Sequence, residues 1–116
     1  KTVICSEILY PEYVSKHLNS LDFIVNQSNE AWFEDDTTLK NQMYASLVFR
    51  AIENRRTIIK AGNMTYSGTV YPSGQREKND KKMNEKLKVS IKKHKEITLF
   101  NKIMNIFLKN PEFMQE

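Results

Sequence analysis

Apolar residues recur at helical spacing through the middle of the chain, most clearly between Leu39 and Arg56. Two neighbouring stripes follow the 3.6-residue period of a helix, one at Leu39, Met43, Leu47 and Ala51 and the other at Tyr44, Val48 and Ile52. The acidic run 34–36 precedes them and can cap the free N–H groups at a helix start. Arg55 and Arg56 suit the opposite, negative end of the helix. The pattern predicts a central helix that is buried on two sides.

A second helical pattern begins at Pro11, because the missing N–H group of proline costs nothing in the first turn of a helix. Apolar residues then fall on one face, at Val14, Leu18, Leu21 and Val25. We therefore predict a helix from Pro11 to about Asn26. Together with the central helix it supplies the predicted core, which consists of Leu18, Leu21, Leu47, Val48 and Ile52.

After Arg56 the apolar period shortens to about two residues, which is typical of a strand. Residues 61–63 carry turn chemistry, and apolar and polar positions alternate from Met64 to Tyr71. These features predict a β-hairpin near 57–71, which ends at Pro72, Ser73 and Gly74. The polar residues 75–82 are predicted to form an exposed loop.

Residues 83–95 fit two patterns, because their apolar residues are spaced by four in one count and alternate with polar residues in another. Propensity favours a helix there, but a strand stays open. From Thr98 the pattern is helical again and ends before Asn110 and Pro111. Its apolar face exceeds what a small core can hide, so we expect it to dock a protein through Phe100, Ile103, Met104, Phe107 and Leu108.

These elements predict an α+β domain that is predominantly helical, with two to three main helices, a β-hairpin near 57–71 and a C-terminal helix. A helix pair followed by a hairpin is also the element order of a winged-helix domain, so a winged-helix-like arrangement is the alternative. A length of 116 residues is usual for one domain, and we predict a single interaction domain over 1–116. The absence of Met before Lys1 suggests that it is excised from a larger protein.

Charge is distributed unevenly along the chain. Between Arg76 and Lys95 there are nine Lys and Arg residues against three acids, whereas residues 1–40 carry seven acids and three lysines. A basic segment of this kind can neutralise phosphates without reading a base sequence. The nucleic-acid contacts would come from Lys81, Lys82, Lys86, Lys88, Lys92 and Lys93. A solvated basic face explains the same lysines as well.

No set of residues in the sequence forms a recognisable catalytic or metal-binding pattern. The only imidazoles, His17 and His94, do not have the spacing of metal ligands. The single cysteine, Cys5, would be a nucleophile only if one of them approached it, so we interpret it as an inert core residue. Helix capping explains the acids 34–36, with acid–base chemistry and docking of a basic partner as alternatives. We therefore predict no catalytic residue, no metal and no cofactor.

The predicted function is a non-catalytic module for protein interaction or oligomerisation. Its partner would be another protein or a second copy of the chain, with nucleic acid as the alternative, and with neither a membrane nor a small-molecule substrate. No apolar run is long enough to span a bilayer, and the first thirty residues lack the order of a secretory signal. A single cysteine favours a reducing compartment, so we expect an intracellular protein, cytoplasmic or nuclear.

Overall fold

The computed structural model describes residues 1–18, 20–79, 89–94 and 96–109. Its strands are β1 (Thr2–Ile4), β2 (Phe23–Asn29), β3 (Thr57–Asn63), β4 (Ser67–Val70) and β5 (Arg76–Asn79). Its α-helices are α1 (Pro11–Ser15), α2 (Thr37–Asn54) and α3 (Leu99–Lys109), and 3₁₀ turns cover Cys5–Leu9 and Ala31–Phe33. Strands and helices therefore alternate through the first part of the chain.

One five-stranded sheet carries the fold, in the order β1-β2-β3-β4-β5. The strands β1, β2 and β3 are parallel, whereas β4 pairs antiparallel with both β3 and β5. Helix α2 is the crossover that two adjacent parallel strands require, here between β2 and β3. Our prediction of a predominantly helical α+β domain was wrong, because the described residues form a mixed sheet with few helices. The winged-helix-like alternative fails for the same reason.

The largest error in secondary structure concerns the predicted helix from Pro11 to Asn26. The helix ends at Ser15, His17 takes a left-handed backbone with φ of 60°, and strand β2 follows. Buried and more open positions alternate along β2, as they do in a strand with one buried face. The inward positions include the polar residues Asn26 and Ser28, so the spacing of apolar residues alone did not reveal the strand.

The predicted central helix is confirmed as α2. It begins after Asp36, whose carboxylate accepts a hydrogen bond from the Leu39 N–H at 3.0 Å. It ends at Asn54, and the next residue, Arg55, has the left-handed conformation that closes many helices. The capping acid and the arginines at the far end are where the sequence placed them.

The core lies between α2 and one face of the sheet. Its buried apolar residues are Val3, Ile8, Val14, Leu18, Ile24, Phe33, Met43, Tyr44, Leu47, Ala51, Ile58 and Val70. The predicted core residues Leu18 and Leu47 are buried, and Leu21 and Val48 are half-buried against the same cluster. Ile52 is 45% exposed, so its predicted burial was wrong. Helix α2 is therefore buried along one face, and not on two sides.

The predicted hairpin is confirmed as β3 and β4, which pair antiparallel. The turn between these strands lies at 64–66, directly after the predicted turn at 61–63. The loop predicted at 75–82 was wrong at its start, because Arg76–Asn79 forms β5 beside β4. The remainder of that stretch lies outside the described residues.

The predicted C-terminal helix is confirmed as α3, which packs against α1 and α2. The buried residue Asn101 ties it to both: its Nδ2 donates to Ser15 Oγ at 2.8 Å and to Asn54 Oδ1 at 2.7 Å. Buried amides that are fully hydrogen-bonded fix the relative position of the elements they join. This polar contact holds α3 in place.

Two patterns were open for residues 83–95. The part that the structure describes, 89–94, contains neither a helix nor a strand, and residues 83–88 and 95 lie outside the described residues. None of the helices that the structure describes has both the length and the apolar character needed to cross a membrane.

Leu47 is fully buried at the centre of the core. Replacing it by Ala should lower the free energy of unfolding by about 2–5 kcal/mol, through lost transfer energy and the cavity left behind. A urea melt followed by circular dichroism measures the loss. The matched control is Leu39→Ala on the same helix, which should cost far less because Leu39 is 40% exposed. A loss below about 0.5 kcal/mol for Leu47→Ala, the size of a surface change, would contradict the core assignment.

Candidate active site

The carboxyl ends of the parallel strands β1, β2 and β3 lie at one edge of the sheet. The register places Val3 beside Asn26, and Asn26 beside Lys60. In open α/β sheets, ligands bind outside the carboxyl ends of the strands. Cys5 follows β1 directly at this edge, and Ser28 lies near the end of β2. We therefore take this edge as the candidate active site.

Cys5 has an unusual backbone conformation. Its φ is 47°, in the left-handed region that costs an L-residue about 1–2 kcal/mol. It stands between the extended residue Ile4 and the rest of the 3₁₀ turn Cys5–Leu9, and its side chain is half-buried. A sharp turn between a strand and a helix is the position that exposes a nucleophile at the top of a sheet. This placement differs from the inert core residue that the sequence suggested.

Hydrogen bonds hold the start of this turn from two sides. The Ile4 N–H donates to Glu7 Oε2 at 2.7 Å, which closes the turn on itself. From the neighbouring strand, Asn26 Nδ2 donates to the Val3 carbonyl at 3.2 Å and to the Cys5 carbonyl at 3.3 Å. Because Asn26 is fully buried, its amide fixes the end of β1 against β2.

Helix α2 fixes the far end of the same turn through Arg50. Its Nη1 donates to the Leu9 carbonyl at 3.3 Å, and its Nη2 donates to Glu53 Oε1 at 2.9 Å. Burial raises the pKa of the Glu53 carboxyl, and the nearby charge of Arg50 opposes that increase. The turn that carries Cys5 is therefore bound to β2 at its start and to α2 at its end.

A cluster of polar side chains lies beside Cys5, and we call it the Glu30 cluster: Ser28, Glu30, Lys60 and Thr65. The Glu30 carboxylate forms a salt bridge with the Lys60 ammonium, and both side chains are almost completely buried. Thr65 Oγ1 donates to Glu30 Oε2, and Ser28 Oγ donates to Glu30 Oε1 at 3.0 Å. Ser28 Oγ also lies 3.9 Å from Cys5 Sγ. A continuous series of contacts thus runs from the ion pair to the thiol.

Gly62 allows the Glu30 cluster to pack this closely. A Cβ atom at that position would lie 2.2 Å from the Thr65 methyl carbon and 2.7 Å from the Ser28 carbonyl oxygen. Both distances are too short for non-bonded atoms, and the carbonyl belongs to backbone that cannot move aside. Glycine in a strand often marks a place where another part of the chain approaches closely. Here it lets Thr65 reach the Glu30 carboxylate.

The site residues predicted from the sequence lie elsewhere. The predicted protein interface is on α3, where Phe100, Met104, Phe107 and Leu108 are half-buried and Ile103 is 41% exposed. Of the predicted nucleic-acid contacts, Lys92 and Lys93 are exposed, whereas Lys81, Lys82, Lys86 and Lys88 lie outside the described residues. The candidate active site is formed by other residues.

The other polar groups considered in the sequence do not join Cys5. Asp36 caps α2, as capping predicts, and the acids Glu34 and Asp35 before it are exposed. In the part of the chain that the structure describes, neither His17 nor His94 has a hydrogen bond to Cys5. The same part contains no group of three or more His, Cys, Asp or Glu residues that could hold a metal ion.

Sequence reasoning missed the whole Glu30 cluster and underestimated Cys5. The available signals were weak: Cys5 directly follows the apolar residues 2–4, and a lysine stands inside the apolar strand that begins at Thr57. Buried polar residues in strands carry no periodic apolar signal, and their partners come from distant parts of the chain. The backbone conformation of Cys5 cannot be read from its residue type.

The left-handed backbone of Cys5 gives a test of strain that is independent of activity. Cys5→Gly and Cys5→Ala both remove the thiol, but only Ala keeps the Cβ atom that this conformation disfavours. The Gly variant should therefore be more stable than the Ala variant by about 1 kcal/mol, measured by urea unfolding. At an ordinary position Gly is the less stable of the two, so an Ala variant of higher stability would contradict the strained turn.

Several known proteins are similar to this chain, and those we report are enzymes by name. The chain is 33% identical over 73 residues to an apolipoprotein N-acyltransferase of Allorhizobium ampelinum. This match covers 63% of the chain and 14% of that protein. It is 31% identical over 72 residues to the apolipoprotein N-acyltransferase of Coxiella burnetii, and that match covers 62% of this chain and 15% of that protein. Apolipoprotein N-acyltransferase 2 of Treponema pallidum is 29% identical over 75 residues. The chain thus spans only 13–15% of the length of these relatives. No family model matches it.

A solved structure shares the fold. It is a cysteine-to-alanine mutant of the Nesterenkonia AN1 amidase from the nitrilase superfamily, with a TM-score of 0.52 and 20% sequence identity. The likeness covers 67% of this chain and 32% of the amidase chain. The mixed sheet with its parallel β1, β2 and β3 is therefore part of a nitrilase-like α/β fold.

These similarities contradict the function predicted from the sequence. The relatives are named as acyltransferases and the solved neighbour as an amidase, so the prediction of a non-catalytic interaction or oligomerisation module was wrong. The alternative of a nucleic-acid-binding domain was wrong as well. The relatives are named as enzymes that acylate an apolipoprotein. The expectations of no membrane, no small-molecule substrate and a cytoplasmic or nuclear location are therefore contradicted too.

Proposed function

We propose that Cys5 is the nucleophile of an enzyme that transfers an acyl group from an ester to an amine, and that this chain is the part of the enzyme that carries the nucleophile. The acceptor in this proposal is an amine of an apolipoprotein. The chain spans about a seventh of its acyltransferase relatives, so further substrate-binding groups would come from additional polypeptide.

The position of Cys5 is the observation that carries this proposal. Its thiol is half-buried at the carboxyl edge of parallel strands, on a left-handed residue between β1 and a 3₁₀ turn. Cysteine is an intrinsically strong nucleophile, and a sharp turn presents it to a substrate. Asn26 and Arg50 hold the two ends of the turn, so the backbone that carries the thiol is in place before a substrate binds.

The proposed chemistry is a double displacement through a thioester. In the first half, the Cys5 sulfur bonds to the acyl carbonyl carbon, the bond from that carbon to the leaving oxygen breaks, and the thiol proton ends on the leaving alcohol. In the second half, the amine nitrogen bonds to the same carbon, the carbon–sulfur bond breaks, and an amine proton restores the thiol. A preorganised backbone N–H donor beside Cys5 would stabilise the negative oxygen of each intermediate, and in this proposal it comes from the start of the 3₁₀ turn.

The names of the similar proteins support an acyl transfer that involves nitrogen. N-acyltransferases place an acyl group on nitrogen, and amidases remove one from nitrogen. Both reactions can proceed through the same acyl-cysteine, and they differ in whether an amine or water attacks it. We favour the amine because the relatives found by sequence are the N-acyltransferases.

The proposal is tested with the protein as its gene encodes it. p-Nitrophenyl octanoate serves as the acyl donor, and a short peptide with a free amino terminus serves as the acceptor. We expect nitrophenolate release and a peptide that is heavier by one octanoyl group, both faster than the spontaneous reaction. Cys5→Ala is the control, and it should reduce both signals to the spontaneous rate.

Two other outcomes are informative. Nitrophenolate release without acylated peptide, abolished by Cys5→Ala, would assign water as the acceptor and overturn the transferase part of the proposal. Equal rates for the wild-type protein and Cys5→Ala would overturn the role of Cys5 as the nucleophile.

A further inference from the structure

The Glu30 cluster provides more hydrogen bonds to its carboxylate than charge neutralisation requires. Lys60 already pairs with Glu30 Oε1, and Thr65 donates to Oε2. The Ser28 hydroxyl adds a further hydrogen bond to Oε1 at 3.0 Å. Ser28 is nearly buried and lies between the Glu30 carboxylate and the Cys5 thiol. Because Glu30 does not need this bond for its charge, the position of Ser28 indicates a role toward Cys5.

A serine hydroxyl has one proton and two lone pairs, so Ser28 can donate to only one neighbour at a time. While Cys5 carries its proton, the charged carboxylate at 3.0 Å is the stronger acceptor, and the thiol 3.9 Å away can direct its proton to the Ser28 oxygen. When Cys5 becomes a thiolate, the sulfur turns into a charged acceptor. The Ser28 proton can then rotate to it, because Glu30 keeps its contacts with Lys60 and Thr65.

We propose that Ser28 is a positioning residue for Cys5, which orients the thiol and stabilises the thiolate by rotating its hydroxyl proton, and that the buried Glu30–Lys60 pair holds Ser28 in place for this task. The inference rests on the proposed function of Cys5 as a nucleophile. No bond between heavy atoms changes in this step, since only the direction of one O–H bond differs between the two states. The thiol proton itself leaves with the leaving group of the acyl donor.

The test is the rate at which iodoacetamide alkylates Cys5, which is the single cysteine of the chain. In this reaction the sulfur displaces iodide, and only the thiolate attacks. At pH 7 we expect Ser28→Ala to be alkylated about three- to tenfold more slowly than the wild type, the factor that one lost hydrogen bond corresponds to. Above about pH 10, where thiols are ionised in either protein, the two rates should converge.

Two variants serve as controls. Ser28→Thr retains a hydroxyl and should recover most of the wild-type rate at pH 7. Ser46→Ala removes a hydroxyl that donates to the Gln42 carbonyl at 3.1 Å within α2, and it should leave the rate unchanged. Circular dichroism checks that each variant is folded, which we expect for Ser28→Ala because Glu30 keeps its other donors.

Equal rates for the wild type and Ser28→Ala at pH 7 would overturn the proposal. A loss that is the same at pH 7 and above pH 10 would also overturn it, since a structural disturbance predicts that result. Alkylation requires no acyl group, so this experiment is independent of the acyl-transfer assay. If the pH-dependent loss is found but no acyl transfer occurs, the proposed function fails while the positioning role of Ser28 stands.

Discussion

Replacing Cys5 by Ser is expected to lower the rate of acyl transfer by at least about a thousandfold, the scale on which enzymes lose activity when a covalent nucleophile is removed. The substitution exchanges sulfur for oxygen and keeps the size and shape of the side chain. An alcohol ionises far less readily than a thiol and is a weaker nucleophile in the same position. The loss should appear in the rate constant for turnover measured with p-nitrophenyl octanoate and the acceptor peptide.

A matched control separates this effect from a general disturbance. Ser20 is exposed and lies outside the Cys5 turn, so Ser20→Ala should retain wild-type activity. The free energy of unfolding of Cys5→Ser should also stay within about 0.5 kcal/mol of the wild-type value, because the substitution changes one atom at a half-buried position. Activity of Cys5→Ser within tenfold of the wild type would contradict a covalent role for Cys5.

The second large effect concerns stability and the buried ion pair. Glu30→Ala should lower the free energy of unfolding by about 3–5 kcal/mol, because it leaves the Lys60 ammonium buried without a counter-charge. The Lys60 side chain is 1% exposed, so water cannot replace the lost partner without a rearrangement. Urea unfolding monitored by circular dichroism gives the value.

A double-mutant cycle shows whether the loss comes from the orphaned charge. Adding Lys60→Met to Glu30→Ala removes the unpaired ammonium and should recover part of the stability, so the double variant should be more stable than Glu30→Ala alone. Additive losses from the two substitutions would contradict direct coupling between Glu30 and Lys60. A loss below about 0.5 kcal/mol for Glu30→Ala would show that the pair is solvated.

The elements predicted correctly are those whose signals are local. Helix α2 has apolar residues at helical spacing, an acidic cap at Asp36 and arginines at its end, so each feature specifies the same structure. The β3–β4 hairpin also carries its own apolar alternation, although its turn lies at 64–66, directly after the residues 61–63 that carry turn chemistry. Both could be read from neighbouring positions without knowledge of the rest of the chain.

The elements predicted wrongly depend on pairing with distant residues. Strand β2 lies between β1 and β3 in a parallel arrangement. Two of its inward residues are polar and do not pack as apolar core: Asn26 donates to the Cys5 carbonyl, and Ser28 donates to the Glu30 carboxylate. A chance helical spacing of apolar residues around Leu18 then outweighed the strand signal. Parallel sheets are assembled from non-local contacts, so their topology is the least accessible to a reading of local pattern.

The candidate active site is not visible in the sequence for the same physical reason. The apolar neighbours of Cys5 along the chain predict an inert core residue. Its partial exposure at a sharp turn follows instead from its left-handed φ and from the contacts of the turn with β2 and α2. The basic segment 76–95 is the larger charge signal in the sequence. Buried charges such as Lys60 are fewer, but burial and pairing give them the greater influence on structure.

The central claim is that Cys5 forms an acyl-thioester, and intact mass spectrometry tests it most directly. The protein is mixed briefly with p-nitrophenyl octanoate, quenched in acid, weighed, and then digested to locate the modification. The account predicts a mass increase of one octanoyl group on the peptide that contains Cys5, released by neutral hydroxylamine and absent from Cys5→Ala. An octanoyl group on another residue, or the same mass increase in Cys5→Ala, would contradict it.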